Sequence, residues 1–298
     1  MTDSPWSLSL DPPVLLPGRR ATAAITFTPS SDREHRGVRV VLRCVERYRY
    51  DTTRTVSEAG GGTRTERVTR TGTDELARIE MTPAGPGHLT AGQPETWHVA
   101  FDVPGLGPAS FEGEELRCDW TLTASVDLPI AIDEREEWSV QVAQPMALLR
   151  AGVLDTGMYG LYPEAPANVD AHPAQIRLEP VPICLQSAFS GAFTVETAAP
   201  IAVQEVRLEL RVKAQVTVSG GHHEEILVWK GALDAPAGSF GGGLAAHPFN
   251  GDAPGAWLPS VDLPHGRARG ELHVILAIAR EPDIHFVRDV ALATTDQL

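Results

Sequence analysis

Arginine is the residue type whose number and spacing most suggest chemistry in this sequence. Ten of the 23 arginines lie between Arg33 and Arg70, against five acidic residues in the same span. The planar guanidinium fork binds carboxylate and phosphate groups through paired hydrogen bonds. The arginines of two predicted strands are therefore a candidate face for an anionic partner, and they are Arg39, Arg43, Arg47, Arg49, Arg64, Arg67 and Arg70.

The spacing places the first four of these arginines on one side of a strand. Side chains alternate across a β-strand, so Arg43, Arg47 and Arg49 share a face, and Arg39 joins them. The other three follow on the candidate return strand. The alternative is that the arginines only solvate an exposed sheet or pair with nearby acids, which are Glu46, Asp51 and Glu66.

Two other polar clusters are interpreted as turns. The run His222-His223-Glu224-Glu225 follows Ser219-Gly220-Gly221, which is typical of a solvated hairpin tip. Neighbouring histidines on a strand would point to opposite faces and could not share a metal. The acidic run from Asp133 to Glu137 precedes a strand predicted to begin at Trp138, and a charged turn is favoured there over paired catalytic carboxylates.

Signatures of common enzymes and cofactors are not found. The runs Gly60-Gly61-Gly62 and Gly241-Gly242-Gly243 precede no Lys-Ser/Thr pair, so they predict loop tips rather than a phosphate cradle. Ser110, in GPASFEG, lacks the G-x-S-x-G frame of a nucleophile elbow. We therefore expect a protein that is not an enzyme and that uses no cofactor or metal.

Composition narrows the class of partner and the compartment. The formal net charge of −14 and pI near 5.1 argue against bulk binding to nucleic acid or to an anionic membrane. The three cysteines, Cys44, Cys118 and Cys184, are too widely spaced to indicate a disulfide framework or a zinc module. Neither a signal segment nor an apolar run of membrane-spanning length occurs, so we expect a soluble, cytoplasmic protein.

The elements that must hold these residues are β-strands. In Leu116–Asp127 every second residue is apolar, the pattern of an antiparallel strand with one buried face. The same alternation recurs along both halves, and the segment Glu75 to Met81 is interpreted as strand as well. The sequence predicts an all-β protein of two tandem antiparallel, immunoglobulin-like β-sandwiches.

A weak internal repeat supports the division into two sandwiches. In the first half a proline-bracketed turn precedes a long strand, a proline and a short strand ending at Asp133, and LPSVDLPHGRARGELHVILAIAREPDIHFVRD repeats that order in the second half. There Phe111 has no apparent counterpart and HGRARG is read as the turn. We predict domains at 1–145 and 174–298, joined by a Pro- and Gly-rich connection, 146–173, that packs on them.

These features resemble the arrestin-like superfamily. The resemblance rests on FDVPGLGPASFEGEELRCDWTLTASVDLP, on the preceding strand RVVLRCVERYRYDTT and on the duplicated order. The bacterial sporulation-control branch is the nearest in size and acidic character. The resemblance implies a non-catalytic adaptor or scaffold that binds other proteins through sheet faces, strand edges and the groove between its domains.

Two other functions stay open from the sequence. One is a ligand-binding sandwich, such as a carbohydrate-binding module, which exposed tryptophans would support. The alternation predicts that Trp97, Trp120 and Trp138 are buried, whereas it leaves the burial of Trp6, Trp229 and Trp257 open. The other is an enzyme whose site is assembled from scattered residues. Unpaired strand edges also leave pairing between copies of the chain as an alternative mode of association.

Overall fold

The fold is almost entirely β in a computed structural model. It describes residues 4–57, 61–129, 132–152, 159–161, 174–233, 240–280 and 282–295. These residues fall into two compact units, one within Met1–Glu112 and Leu116–Ala143 and the other within Gly113–Glu115 and Gln144–Leu298. The predicted all-β class is confirmed.

The first unit contains ten strands. They are β1 (Trp6–Asp11), β2 (Arg20–Phe27), β3 (Arg33–His35), β4 (Gly37–Ser57), β5 (Thr63–Ala84), β6 (Gly87–Leu89), β7 (Glu95–Asp102), β8 (Phe111–Glu112), β9 (Leu116–Asp127) and β10 (Glu134–Val140). The larger sheet, here called the first sheet, has the order β10-β9-β4-β5, with β8 paired to β9, and the smaller sheet has the order β1-β2-β7. The short strands β3 and β6 pair with each other.

Alternating burial explains why these two sheets pack together. On β9, Leu116, Cys118, Trp120, Leu122, Ala124 and Val126 are all buried, while the residues between them are partly or fully exposed. The rings of Trp6 on β1 and Trp138 on β10 lie 6.3 Å apart, so side chains of the two sheets meet in a shared core. The unit is a sandwich of the kind that period-two alternation predicts.

The second unit repeats this arrangement. Its elements are α1 (Met146–Gly152), β11 (Tyr159–Leu161), β12 (Ala174–Glu179), β13 (Ile183–Cys184), β14 (Ala188–Ile201), β15 (Val203–Val216), β16 (His223–Ala232), β17 (Phe240–Asp252), β18 (Val261–Leu263), β19 (Gly266–Ile278), β20 (Ile284–Val290) and β21 (Leu292–Ala293). Its sheets run β12-β14-β17 and β11-β20-β19-β15-β16, with β18 paired to β19 and β13 parallel to β21. The rings of Phe193 and Phe286 meet across its core at 5.1 Å.

A pair of serine contacts shows how closely the two units correspond. In the first unit the Val142 N–H donates to Ser110 Oγ at 2.9 Å, and the Ser110 N–H donates to the Val142 carbonyl at 2.9 Å. In the second unit Ser260 and Leu292 make the same two bonds at 3.0 and 2.9 Å. Phe111 therefore has a counterpart in Val261, the residue after Ser260, and the expectation that none exists is wrong.

Several predicted turns are strands. Gly266–Gly270 of HGRARG lie in β19, since that strand pairs with β15 along its whole length. Glu134–Glu137 lie in β10, and Gly241–Gly243 lie in β17 opposite β14. Of the predicted connection 146–173, residues 146–152 form α1, 159–161 form β11, and the rest lie outside the described residues.

The β4–β5 hairpin extends beyond the sheet to which it belongs. The strand β4 pairs with β9 only from Gly37 to Tyr48, whereas its pairing with β5 continues to Ser57 opposite Thr63. Residues 49–57 and 63–71 thus form a two-stranded extension, here called the ribbon. Within the described part of the chain, no third strand pairs with the ribbon.

Candidate functional site: the outward face of the first sheet

The register of β4 and β5 divides the seven predicted arginines between two faces. Even-numbered residues of β4, such as Leu42 and Cys44, are buried, so odd-numbered residues point away from the core. This outward face carries Arg39, Arg43, Arg47 and Arg49, joined by Arg67 opposite Thr53. Arg64 and Arg70 lie opposite Val56 and Tyr50, on the other face. The predicted set is therefore not one face, although its β4 members share a face as expected.

Neighbouring strands add three arginines that the sequence analysis missed. Arg78 of β5 lies opposite Arg43, Arg117 of β9 lies opposite Arg47, and Arg135 of β10 lies opposite Ser125, which is itself opposite Arg39. All three fall outside the segment 33–70 in which arginine is concentrated. Only strand order and register, which single-strand periodicity does not supply, reveal that they share this face.

Carboxylates on the outward face are shared between arginines. Asp119 accepts from Arg117 at 2.5 Å and pairs with Arg47 at 3.1 Å. Glu75 lies 3.5 Å from Arg78 and 3.8 Å from Arg43. Because one carboxylate serves two guanidinium groups in each case, the pairing leaves an excess of hydrogen-bond donors exposed.

Two arginines of the ribbon are each paired with a single carboxylate. Arg67 binds Asp51 at 2.5 Å on the outward face, and Arg54 binds Glu66 at 2.9 Å on the opposite face. Pairing with Asp51, the alternative for the candidate arginines, therefore occurs at Arg67, whereas Glu66 binds Arg54, which is not one of the seven. Glu46 cannot serve the outward arginines, because it is fully buried on the core-facing side of β4.

A depression of about 190 Å³ lies at the centre of the outward face. Its lining consists of Arg39, Val41, Arg43, Arg78, Thr123, Ser125, Arg135 and Glu137. Two of its arginines are each bound by a carboxylate of the same strand, Arg78 by Glu80 at 2.6 Å and Arg135 by Glu137 at 2.9 Å. The guanidinium groups of Arg39 and Arg43 make no hydrogen bond to any described residue, and for them the 3.8 Å approach of Glu75 to Arg43 is the single ion pair.

Electrostatics at the rim of the depression follow from these pairs. Hydrogen bonds and the charge of Arg78, with a further contribution from Arg39, lower the pKa of the Glu80 carboxyl. The same hydrogen bond, which Arg78 donates to Glu80, raises the pKa of Arg78. Both groups are therefore charged at neutral pH, and Glu80 fixes the position of Arg78 more than it neutralises Arg39.

Other candidate positions are placed as follows. His222 lies outside the β16 strand that begins at His223, and its Nδ1 is 2.8 Å from Oε2 of Glu115. Among the described residues, no group of three or more His, Cys, Asp or Glu side chains is placed to hold a metal. Ser110 is buried and hydrogen-bonded to Val142, a structural position rather than that of an exposed nucleophile.

The six tryptophans do not form an exposed aromatic platform. Trp6, Trp97 and Trp120 are buried, while Trp138, Trp229 and Trp257 are half-buried. Carbohydrate-binding sandwiches stack sugars on exposed aromatic faces, so the arrangement of these side chains offers no support for that alternative. The arginine face remains the candidate site with a structural basis.

Comparisons with known proteins do not add a family to this description. No protein-family model matches the sequence, and neither does any curated protein. Among the described residues, no helix has both the length and the apolar character required to cross a membrane.

Proposed function

We propose that the protein is a non-catalytic, cytoplasmic adaptor of the arrestin-like type that binds another protein through the outward face of its first sheet. The observation that carries the proposal is the shared pairing of this face, in which Asp119 serves Arg47 and Arg117 while Glu75 serves Arg43 and Arg78. Exposed guanidinium groups with unfilled donors are the groups that bind acidic surfaces bidentately.

The chemistry of the face supports binding over catalysis. Its titratable groups are arginines and the carboxylates paired with them, and neither type there is placed as a nucleophile beside a base. Its flat, strand-built shape suits a protein surface better than an enclosed small-molecule cavity. The repeated serine contacts and sheet order of the two units support the resemblance to tandem-sandwich adaptors.

We propose in addition that this cytoplasmic adaptor has a regulatory role, as its resemblance to the sporulation-control branch implies. A net charge of −14 disfavours nucleic acid as the partner, and the arginine face is a local exception to that charge. Long strand edges, above all that of β5, leave self-association as a second route of protein binding.

The test is affinity capture from a lysate of the source cells with matched variants. The test variant reverses three outward charges, Arg43→Glu, Arg47→Glu and Arg49→Glu, and the control reverses Arg54→Glu on the opposite face. The account predicts that wild type and control recover the same protein and that the triple variant does not. Equal recovery by all three proteins would remove the outward face from the proposal, and a measured turnover would exclude a non-catalytic role.

A further inference from the structure

Within the outward face, Arg39 and Arg43 form the part whose hydrogen-bond donors are least occupied. Both line the 190 Å³ depression, and neither guanidinium group donates a hydrogen bond to any residue that the structure describes. Arg39 is exposed, and the side chain of Arg43 is 41% exposed. Two guanidinium forks are therefore presented at one depression with their donors available to a ligand.

Charged and polar side chains on both sides of the depression surround Arg39 and Arg43. Arg43 lies directly opposite Arg78 across β4 and β5, and like charges in directly opposed positions destabilise a sheet. Glu80 and Glu75 offset part of this repulsion by binding Arg78. On the other side Glu137 binds both Arg135 and the Thr123 hydroxyl, which leaves the Ser125 hydroxyl beside Arg39 as a further polar group of the lining.

The charge of the depression selects the kind of anion. Four arginines and the carboxylate of Glu137 line it, and the carboxylates of Glu75 and Glu80, which lie outside the lining, bind Arg78, so that three carboxylates accompany four arginines. One positive charge is therefore left in excess. A singly charged carboxylate matches that excess, whereas a phosphate dianion would add a second negative charge close to three fixed carboxylates.

We propose that the depression binds a single carboxylate group of the partner protein, held by Arg39 and Arg43. The carboxylate accepts from the two guanidinium forks in bidentate geometry, and Arg78 and Arg135, pinned by Glu80 and Glu137, form the walls. This inference rests on the proposed function and adds to it the chemical group that the partner must present. That group is supplied either by an Asp or Glu side chain or by a chain terminus.

The test follows the arginine side-chain Nε–H signals by NMR at low ionic strength, because screening weakens exposed ion pairs. The probes are the blocked peptide acetyl-Ala-Ala-Glu-Ala-Ala-amide, its Gln analogue, the acetyl-Ala-Ala-Ala free acid, and inorganic phosphate. The expected result is a saturable shift of the Arg39 and Arg43 signals with the Glu peptide and none with the Gln peptide. The free acid shows whether a chain terminus serves as well as a side chain.

Variants complete the experiment. The double variant Arg39→Gln and Arg43→Gln is expected to weaken binding of the Glu peptide about tenfold or more, the loss of charge-assisted hydrogen bonds. The matched control, Arg54→Gln, removes an arginine pinned to Glu66 on the opposite face and is expected to bind as wild type does. Both substitutions are at exposed side chains, so unfolding is not the expected cause of a loss.

Three outcomes would overturn the inference: equal shifts with the Gln peptide, unchanged binding by the double variant, or tighter binding of phosphate than of the Glu peptide. These outcomes are separable from failure of the proposed function. If the peptides do not bind but the triple variant still loses the partner, the face is correct and the depression is not. If the Glu peptide binds but the triple variant still captures the partner, the depression is real and the adaptor surface lies elsewhere.

Discussion

Arg39 and Arg43 differ from the other arginines of the outward face in what their guanidinium groups contact. Arg67 is held by Asp51, Arg78 by Glu80 and Arg117 by Asp119. Exposed ion pairs of this kind contribute little to stability. Their larger effect is to fix side-chain positions, so that the unpaired donors of the face are concentrated at one depression.

A pH titration can test the pairing at the rim of that depression. The Arg78 hydrogen bond and charge hold the pKa of the Glu80 carboxyl below its ordinary value. Any stabilisation from this pair is present above the ordinary carboxyl pKa and is lost as pH falls through the lowered one. We predict that carboxyl-detected NMR gives a Glu80 pKa below that of an exposed glutamate and that Arg78→Gln restores the ordinary value. An unshifted Glu80 in the wild type would contradict the pairing.

The cysteines give a second prediction at the residue scale. The Sγ atoms of Cys44 and Cys118 lie 3.3 Å apart in the core of the first unit, and both side chains are buried. The hydrogen bond to Cys44, together with burial, raises the pKa of the Cys118 thiol, so the reactive thiolate is disfavoured. We predict that neither thiol reacts with an aromatic disulfide reagent in the folded protein and that both react after denaturation in urea. Rapid labelling of both in the native state would contradict this packing.

At the scale of elements, the root of the ribbon depends on one close contact. The ring of Tyr48 covers Gly72, where an added Cβ would lie 2.3 Å from the Tyr48 ring. The Tyr48 hydroxyl also approaches Asp74 at 3.5 Å. Burial, with a smaller contribution from Asp74, raises the pKa of Tyr48. The ring therefore links the two strands where β4 leaves β9.

Gly72→Ala tests this contact. The new methyl group must displace the Tyr48 ring, which we expect to cost about 1–2 kcal/mol of unfolding free energy and to return the Tyr48 pKa towards its ordinary value. The control is Gly85→Ala, where no heavy atom lies within 4 Å of an added Cβ. Urea denaturation and tyrosine NMR titration measure both effects. Equal stability of the two variants, with an unchanged Tyr48 pKa, would contradict the contact.

The elements also show what periodicity could and could not predict. The strand Leu116–Asp127 was predicted with its observed limits because its alternation is uninterrupted. The start of β10 was missed because Glu134–Glu137 are charged and resemble a turn, although pairing with β9 makes them strand. The glycines of β17 were taken for a loop tip because glycine has no side chain to reveal a strand phase, and β14 supplies the pairing.

At the scale of the whole molecule, the internal repeat was detected from the order of its segments, but the two units correspond more closely than the sequence predicted. Ser110 and Ser260 play the same part, yet Val261 stands where the first unit has Phe111. Both side chains are buried, so the position requires an apolar group and not an aromatic ring. The candidate site was only half predictable for a related reason: Arg78, Arg117 and Arg135 join it through strand order, which local pattern does not contain.

The repeated serine contact gives a prediction for both units. Ser110→Ala and Ser260→Ala each leave a buried N–H, that of Val142 or Leu292, without its acceptor. An unsatisfied buried donor costs about 1–3 kcal/mol, and we expect each variant to lose that amount in urea denaturation. Ser9→Ala, at an exposed position on β1, is the control and should change stability by less than about 0.5 kcal/mol. If neither serine variant loses more stability than Ser9→Ala, the two serine contacts do not stabilise their units.

The central claim is that a partner protein covers the outward face of the first sheet, and arginine footprinting tests it most directly. A dicarbonyl reagent modifies exposed guanidinium groups, and mass spectrometry then reads each arginine with and without the captured partner. We predict that Arg39, Arg43 and Arg47 are protected in the complex while Arg54, on the opposite face, is modified to the same extent in both states. Unchanged modification of the outward arginines in the complex would contradict the account.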